Sequence, residues 1–394
     1  MRSTFGRMQS LPLALAPLDG SVEIRGAFDL DRTPQGVVPR RLPDWTRHQL
    51  PDLFVETMVT MTAGVRLVFA TDSPTVELVS HPRTINLAAT GDPGRPPVYQ
   101  MLVNGELQPD VVAHGGTYVD IDRTKADGGI TFRVGDTVVT RWDSLGNGYK
   151  EIEIWLPTAS SVELIDVRID DGATAKAVPS RRRRWVHYGS SISHCMDVDR
   201  PFDAWPPMVA RQLGLELIDF GLAGQCQLDP FMGRVIRDTE ADVISLKVGI
   251  NLVNHASMTE RTFAPALHGF IDTIREAHPN TPLLMVSPIA CPMVETHAGP
   301  TVPAGDGYEV VATDPRARPL PLTLVGIRRI IEQVVEIRRK DGDERLRSLD
   351  GLRLFGAGDV AMLYDGLHPT PEGYALLGSR FADIAFGVGG LLEG

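Results

Sequence analysis

The 394-residue chain has few cysteines, no long hydrophobic run and no excess of positive charge. Cys195, Cys226 and Cys291 are too few and too odd in number for a disulfide framework, and none has zinc-site spacing. We therefore expect reduced thiols. The net charge of −11 does not suit a nucleic-acid binder, which needs clustered positive charge to displace counterions. The sequence accordingly predicts no nucleic-acid partner.

Apolar segments long enough for a membrane span or a secretion signal are also lacking. The apolar run nearest the N-terminus, residues 11–18, contains two prolines and lacks the order of charged, apolar and cleavage regions found in a signal peptide. No stretch approaches the roughly 20 apolar residues that span a bilayer. These absences predict a cytoplasmic protein with no membrane partner.

The first half of the chain has the pattern of antiparallel β structure. The length exceeds what one hydrophobic core usually supports, so two domains are expected. Between residues 20 and 175, short runs mostly alternate β-favouring with polar residues and are separated by turn residues such as Asn104-Gly105. The clearest of these runs are residues 65–69, 75–79, 131–134 and 151–155. We predict an all-β sandwich of jelly-roll type over residues 1–178.

After Pro179 the pattern changes to apolar strands that alternate with amphipathic helices, which is typical of a parallel sheet covered on both faces. The basic run at residues 181–184 is interpreted as a solvated linker within a boundary at about 176–184. An α/β domain is predicted over residues 185–394. Its expected elements are strands at 185–188, 215–220, 243–248, 283–286 and 352–355, a helix at 324–339, and a last helix that begins at Thr370-Pro371 and runs through Phe381.

The candidate site residues follow these strands, because ligands of open α/β sheets bind at the carboxyl ends of the strands. The first strand ends in Gly189-Ser190-Ser191, which places a serine on a tight strand-to-helix turn. Asp365 and His368 lie together on the loop before the last helix. A serine hydroxyl needs a base near neutral pKa to attack an ester, and a carboxylate fixes the tautomer of that base.

Two further strand ends carry hydrogen-bond donors, at Gly224 and Asn251. A backbone N–H group and a side-chain amide can both stabilise a developing oxyanion. Each motif alone is ordinary turn chemistry. Together, in one α/β region, they contain every group that acyl transfer requires.

The order and spacing of these motifs over residues 185–388 resemble the SGNH (GDSL-like) hydrolase family. The resemblance implies a flavodoxin-like three-layer α/β/α domain in which Ser191 is the nucleophile and Asp365 and His368 are the acid and base. It also implies an oxyanion hole formed by the N–H of Ser191 together with Gly224 and Asn251. No metal and no organic cofactor is implied.

The sequence departs from the family pattern at two positions. The Gly-Asp-Ser-Leu block of the family reads Gly189-Ser190-Ser191-Ile192 here, so the aspartate before the nucleophile is absent. Leu252 stands where an aspartate often follows the asparagine. Neither position performs the acyl-transfer chemistry, and a supporting hydrogen bond is expected to be made differently.

The resemblance implies a serine esterase that acts on a carboxylic ester of a small molecule or a carbohydrate. Two-domain proteins of this plan include esterases that remove acetyl groups from sugars, and no long apolar lid segment is evident, so a short acyl group is expected. An acyltransferase with the same Ser-His-Asp set and a non-catalytic carbohydrate-binding protein remain as alternatives. The sequence leaves open the oligomeric state and whether the β-sandwich binds a ligand.

Several other residues invite a functional interpretation. Cys195 and Cys226 lie near the candidate site in sequence, but buried cysteine more often acts as a small hydrophobe. His194, Asp197 and Asp199 are interpreted as parts of a solvated loop rather than metal ligands. Residues 291–321 form an unusually long connection, and we hypothesise that they fold over the pocket and shape specificity.

Overall fold

The computed structural model describes residues 7–86, 94–122, 129–304, 307–311, 313–314, 316 and 318–393. The chain divides into two compact units. Unit 1 contains Met1–Arg181 together with Met196–Phe202, and unit 2 contains Arg182–Cys195 and Asp203–Gly394. None of the helices within the described ranges is both long and apolar enough to cross a bilayer.

Unit 1 is a sandwich of two eight-stranded sheets. Its strands are β1 (Met8–Leu11), β2 (Leu13–Ala14), β3 (Val22–Arg25), β4 (Asp29–Arg32), β5 (Val37–Arg40), β6 (Arg66–Thr71), β7 (Val76–Asn86), β8 (Val98–Val103), β9 (Glu106–Leu107), β10 (Val111–Val112), β11 (Thr117–Asp120), β12 (Thr131–Val134), β13 (Val138–Trp142), β14 (Lys150–Trp155), β15 (Ser160–Asp170) and β16 (Ala175–Lys176). One sheet has the order β12-β11-β7-β15-β5-β4, with β1 on β15 and β13 on β7. The other has the order β10-β8-β14-β6-β3-β2, with β16 on β6 and β9 on β8.

The core of unit 1 lies between these sheets and is formed by inward-facing residues of the longer strands. Ile152 and Ile154 of β14 are fully buried, as are Leu164 and Val167 of β15. A register shift between Leu164 and Asp166 inserts an extra residue into β15. Without this bulge the strand would place Val167 on the outer face, because side chains alternate with a period of two.

Two features of unit 1 differ from the sequence prediction. The predicted strand at 131–134 is present as β12, but all four of its residues are exposed because it lies at the edge of its sheet. The eight-residue helix α1 (Leu53–Thr60) was not predicted, and it begins where the side chain of Asp52 accepts hydrogen bonds from the N–H groups of Phe54 and Val55.

The segment Met196–Phe202 belongs to unit 1 because its residues contact other residues of that unit. The N–H of Phe202 donates to Oε1 of Gln100 at 2.9 Å, and its ring centroid lies 5.0 Å from that of Trp155. Arg200 pairs with Asp110 at 2.7 Å. The sequence pattern gave no indication that this segment packs with the sandwich.

Unit 2 is built on a five-stranded parallel sheet with the order β18-β17-β19-β20-β23. This is the flavodoxin-like order, and it confirms the predicted α/β fold class. The strands of unit 2 are β17 (Arg184–Gly189), β18 (Glu216–Gly221), β19 (Val243–Lys247), β20 (Leu283–Val286), the hairpin strands β21 (Thr301–Ala304) and β22 (Gly307–Val310), and β23 (Leu346–Leu349).

The helices of unit 2 are α2 (Ser191–His194), α3 (Trp205–Leu213), α4 (Pro230–Asp238), α5 (Ile250–Asn254), α6 (Glu260–Arg275), α7 (Leu324–Lys340) and α8 (Pro371–Phe381). The predicted start of α8 is confirmed, since the side chain of Thr370 accepts a hydrogen bond from the N–H of Gly373. The predicted helix at 324–339 is confirmed as α7, which Thr323 caps in the same way.

The prediction of a strand at 352–355 is wrong. The fifth strand of the sheet is β23, and Gly351–Arg353 forms a 3₁₀ turn. A Cβ on Gly351 would lie 2.2 Å from the carbonyl oxygen of Ser287, and Asp350 accepts a hydrogen bond from the N–H of Leu352, so the chain turns tightly here. Leu354 and Phe355 are buried without being in a strand, and a short apolar run does not distinguish the two situations.

Candidate active site

The candidate nucleophile lies where β17 passes into α2. Ser190 is the N-cap of α2, and its hydroxyl accepts a hydrogen bond from the N–H of Ile192 at 3.3 Å. Ser191 is therefore the first helical residue, directly after the carboxyl end of β17. A Cβ on Gly189 would lie 2.2 Å from Oγ of Ser193, so only glycine permits this close approach of helix to strand.

The loop before α8 brings Asp365 and His368 to this serine. Oδ2 of Asp365 lies 2.7 Å from Nδ1 of His368, and Nε2 of His368 lies 2.9 Å from Oγ of Ser191. The side chains of His368 and Asp365 are 12% and 4% exposed. An ionised carboxylate only accepts hydrogen bonds, so Nδ1 carries the proton and Nε2 is the acceptor that faces the serine hydroxyl.

The second carboxylate oxygen of Asp365 holds the loop in place. Oδ1 accepts hydrogen bonds from the N–H groups of Leu367 at 2.9 Å and His368 at 2.7 Å. Burial by itself raises the pKa of Asp365, but the hydrogen bond and charge of His368 and these two N–H groups outweigh it and lower the pKa below the usual value. Asp365 is therefore ionised at neutral pH.

The two predicted oxyanion residues lie on neighbouring turns. Gly224 follows β18 and has a φ of +72°, in the left-handed region that favours glycine. Asn251 is 3% exposed and lies in α5, and its Oδ1 accepts a hydrogen bond from the N–H of Cys226 at 3.0 Å. This bond links the turn that contains Gly224 to Asn251, and it leaves the amide nitrogen of Asn251 as the group available to donate.

The structure also places residues beside the site that sequence reasoning missed. Tyr364 and Tyr308 each have their ring centroid 6.1 Å from that of His368, and Sγ of Cys291 lies 3.5 Å from the carbonyl oxygen of Gly366. The hypothesis for residues 291–321 was that this connection lies over the pocket. Part of it is the β21–β22 hairpin, and Gly305, Asp306, Ala312, Pro315 and Ala317 lie outside the described residues.

A buried polar network lies directly behind α2. His187 is fully buried on β17, with Nδ1 2.7 Å from Oγ of Ser245 and Nε2 2.8 Å from Oγ of Ser193. Burial, and then the charge of Lys247, lower the pKa of His187 to about 3, against a weaker opposing effect of a hydrogen bond with Ser245. No motif pointed to this network, because a single histidine within an apolar strand has no distinctive spacing.

The network predicts that unit 2 loses stability in mild acid. Below the unfolded-state pKa of about 6.5, the unfolded chain takes up a proton that folded His187 does not, so stability falls as the pH decreases from 6.5 towards 3. Between pH 7 and 5 the expected loss is about 2 kcal/mol. Urea unfolding at the two pH values should show this difference in the wild type and a smaller one in His187→Gln, which retains hydrogen-bonding groups without titrating. Equal pH dependence in both proteins would contradict the assignment.

Known proteins resemble the chain in both sequence and structure. Residues 182–296 match the model of the GDSL-like lipase/acylhydrolase family. The salicylyl-acyltransferase SsfX3 from a tetracycline biosynthetic pathway is 27% identical, with a TM-score of 0.76 over 96% of each chain. A protein described as a GDSL-like lipase, from Bacteroides ovatus, is 19% identical, with a TM-score of 0.63 over 95% of this chain and 96% of its own.

A more distant structural relative is a family two carbohydrate esterase from Clostridium thermocellum. It is 13% identical, with a TM-score of 0.54 over 84% of this chain and 94% of its own. No curated protein sequence matches the chain.

The fold and the family match support a serine hydrolase. The family match over residues 182–296 and the structural neighbours confirm the resemblance to GDSL-like (SGNH) hydrolases that the sequence motifs indicated. The description of the matched family, lipase and acylhydrolase, supports ester chemistry as the activity.

Proposed function

We propose that this protein cleaves short-chain carboxylic esters of a small molecule or sugar through an acyl-serine intermediate, with Ser191, His368 and Asp365 as the catalytic residues. The observation that carries the proposal is the continuous hydrogen-bonded chain from Oδ2 of Asp365 through both nitrogens of His368 to Oγ of Ser191. This is the geometry by which a base activates a serine hydroxyl.

The reaction follows from this arrangement in two halves. Oγ of Ser191 attacks the carbonyl carbon while its proton passes to Nε2 of His368, and Asp365 stabilises the resulting imidazolium. The ester C–O bond then breaks as the alcohol oxygen takes the proton from Nε2, which leaves the acyl group on Ser191. In the second half, water attacks the acyl carbon as it gives a proton to Nε2 of His368, and the bond from that carbon to Oγ of Ser191 then breaks as Oγ takes the proton back, which releases the acid.

The N–H groups of Ser191 and Gly224 and the amide nitrogen of Asn251 are proposed to stabilise the oxyanion of each tetrahedral intermediate. Three pieces of evidence support this role for Asn251: it is buried, its Oδ1 is occupied by the N–H of Cys226, and the same hydrogen bond ties it to the Gly224 turn. Donors fixed in this way need no reorganisation during the reaction.

Asn251→Asp tests this role with little change in shape. Aspartate retains an oxygen for the N–H of Cys226 but removes the N–H₂ donor and places a negative charge near the developing oxyanion. We expect kcat to fall by about 10²- to 10³-fold with a small change in KM. Steady-state kinetics on p-nitrophenyl acetate measure this, and the melting temperature checks that the fold persists. A loss confined to KM would assign Asn251 to substrate binding instead.

A second candidate function is acyl transfer to an alcohol other than water. It is favoured by the likeness to a salicylyl-acyltransferase at 27% identity over nearly the whole chain. The same three catalytic residues serve both reactions, and the difference lies in which nucleophile reaches the acyl-serine.

Product analysis distinguishes hydrolysis from transfer. The enzyme is incubated with p-nitrophenyl acetate and increasing benzyl alcohol, and acetate, benzyl acetate and p-nitrophenol are quantified. A hydrolase gives acetate in equal amount to p-nitrophenol at every alcohol concentration. A transferase diverts acetyl groups to benzyl acetate at millimolar alcohol. Intact-mass detection of an acetyl adduct after rapid acid quench tests the shared intermediate, and burst kinetics without an adduct on Ser191 would contradict the proposal.

A further inference from the structure

Two tyrosine rings lie near the candidate catalytic histidine. The ring of Tyr364 is within 24° of parallel to the imidazole of His368, and the ring of Tyr308 is tilted by 58°. Both centroids lie 6.1 Å from the imidazole centroid. Tyr364 is 56% exposed, so it lies at the protein surface beside the histidine.

The backbone fixes both rings relative to His368. The N–H of Tyr364 donates to the carbonyl oxygen of His368 at 3.0 Å, and Leu363 forms a β-bridge with Pro369. Tyr308 lies on β22, next to Gly307, where a Cβ would come within 2.7 Å of the carbonyl oxygen of Asp365. The hairpin strand therefore packs directly on the loop that carries Asp365 and His368, and the rings are held beside the imidazole.

The chemistry of ester cleavage determines which part of the substrate meets these rings. The alcohol oxygen must come within about 3 Å of Nε2 of His368 to take its proton as the C–O bond breaks. The carbonyl oxygen points instead towards the proposed donors on Gly224 and Asn251. The alcohol part of the ester, or the acceptor alcohol in a transfer reaction, therefore lies beside the imidazole, and both tyrosine rings are neighbours of that imidazole.

The apolar character of the surroundings favours a flat, apolar ring at this position. A Cβ on Gly366 would lie 2.9 Å from Cε of Met293, so a methionine methyl group packs against the same loop. Aromatic rings and methionine sulfur are both favourable neighbours for another aromatic ring. A polyhydroxylated ring would instead require several polar partners.

We infer that the alcohol part of the substrate is an aromatic ring-bearing alcohol that stacks against Tyr364 and Tyr308, and that these two tyrosines determine specificity for it. This inference rests on the proposed function and specifies its substrate class. The acyl transfer itself is unchanged: Ser191 takes the acyl group, and the aromatic alcohol leaves with the proton from His368.

The test compares esters that share the acetyl group and differ in the alcohol. The enzyme, Tyr364→Phe and Tyr364→Leu are assayed on benzyl acetate and n-hexyl acetate, and kcat/KM is measured for each. We expect the wild type and Tyr364→Phe to prefer benzyl acetate, and Tyr364→Leu to lose about three- to tenfold of that preference. Tyr308→Phe and Tyr308→Leu repeat the comparison on a different element, in case a substitution at Tyr364 prevents folding.

The ratio of kcat/KM for the two esters separates a change in specificity from a general loss of folded enzyme, which would lower both values equally. A wild type without preference, or leucine variants that lose both activities equally, would overturn the inference while leaving the proposed function intact, provided that turnover still depends on Ser191. Preference for methyl 6-O-acetyl-glucoside over benzyl acetate would overturn the aromatic assignment in favour of a sugar. Absence of Ser191-dependent turnover of every ester would overturn the proposed function and this inference with it.

Discussion

Replacing Ser191 with alanine should lower kcat/KM for p-nitrophenyl acetate by about 10⁴-fold or more. The hydroxyl is the group that Nε2 of His368 contacts at 2.9 Å, and no acyl intermediate forms without it. The variant should also fail to react with a fluorophosphonate probe. Because Ser191 is only partly buried at the start of a short helix, and alanine retains its Cβ, the melting temperature of the variant should stay close to that of the wild type.

Ser190→Ala is the matched control for this substitution. Ser190 is the neighbouring serine, and its hydroxyl caps α2 through the N–H of Ile192. Loss of the cap should cost about 1 kcal/mol of stability and leave labelling intact. If Ser191→Ala retained labelling while Ser190→Ala lost it, the nucleophile would be Ser190.

Asp365→Asn should reduce kcat by about 10⁴-fold while leaving the loop folded. The two carboxylate oxygens have separate tasks, since Oδ1 accepts from the N–H groups of Leu367 and His368 and Oδ2 contacts Nδ1 of His368. The oxygen of asparagine can keep the first task. Its amide nitrogen then faces Nδ1, which must become an acceptor, so the proton moves to Nε2 and the base can no longer take a proton from Ser191.

Asp365→Ala separates these two tasks. It removes the loop hydrogen bonds as well as the contact with His368, so both activity and thermal stability should fall, whereas Asp365→Asn should lower activity alone. In the wild type, the lowered pKa of Asp365 keeps it ionised through mildly acidic pH. The acid limb of kcat/KM should therefore come from protonation of the histidine base rather than of Asp365. A rate independent of pH between about 5 and 9 would argue against His368 as the base.

The sequence was most informative where chemistry and local structure coincide. Gly189-Ser190-Ser191 follows a buried strand and Thr370-Pro371 starts a helix, so strand ends and caps could be located from residue types alone. The parallel sheet was predicted from the alternation of strands and helices, and its flavodoxin-like arrangement from the family resemblance.

Features that depend on contacts distant in sequence could not be predicted. Leu354 and Phe355 are buried by packing, and the 3₁₀ turn of Gly351–Arg353, with its tight approach to Ser287, shows that the run at 352–355 is not a strand. The position of Tyr308 beside His368 depends on how a long connection folds, and neither residue carries a signal for the other. The buried His187 network is likewise a product of three-dimensional packing.

Because Met196–Phe202 belongs to unit 1, the two units are interleaved along the chain. The chain passes from unit 1 to unit 2 at Arg181, returns after Cys195 and leaves again at Asp203, so no single cut separates the units. A fragment beginning at Arg182 would carry Phe202 and Arg200 without Gln100, Trp155 and Asp110, their partners in unit 1. In such a fragment the segment Met196–Phe202 would lack these contacts, and it begins two residues after α2, the short helix that contains Ser191. An isolated unit 2 should therefore aggregate more readily than the full chain and be a poor substitute for it in activity assays.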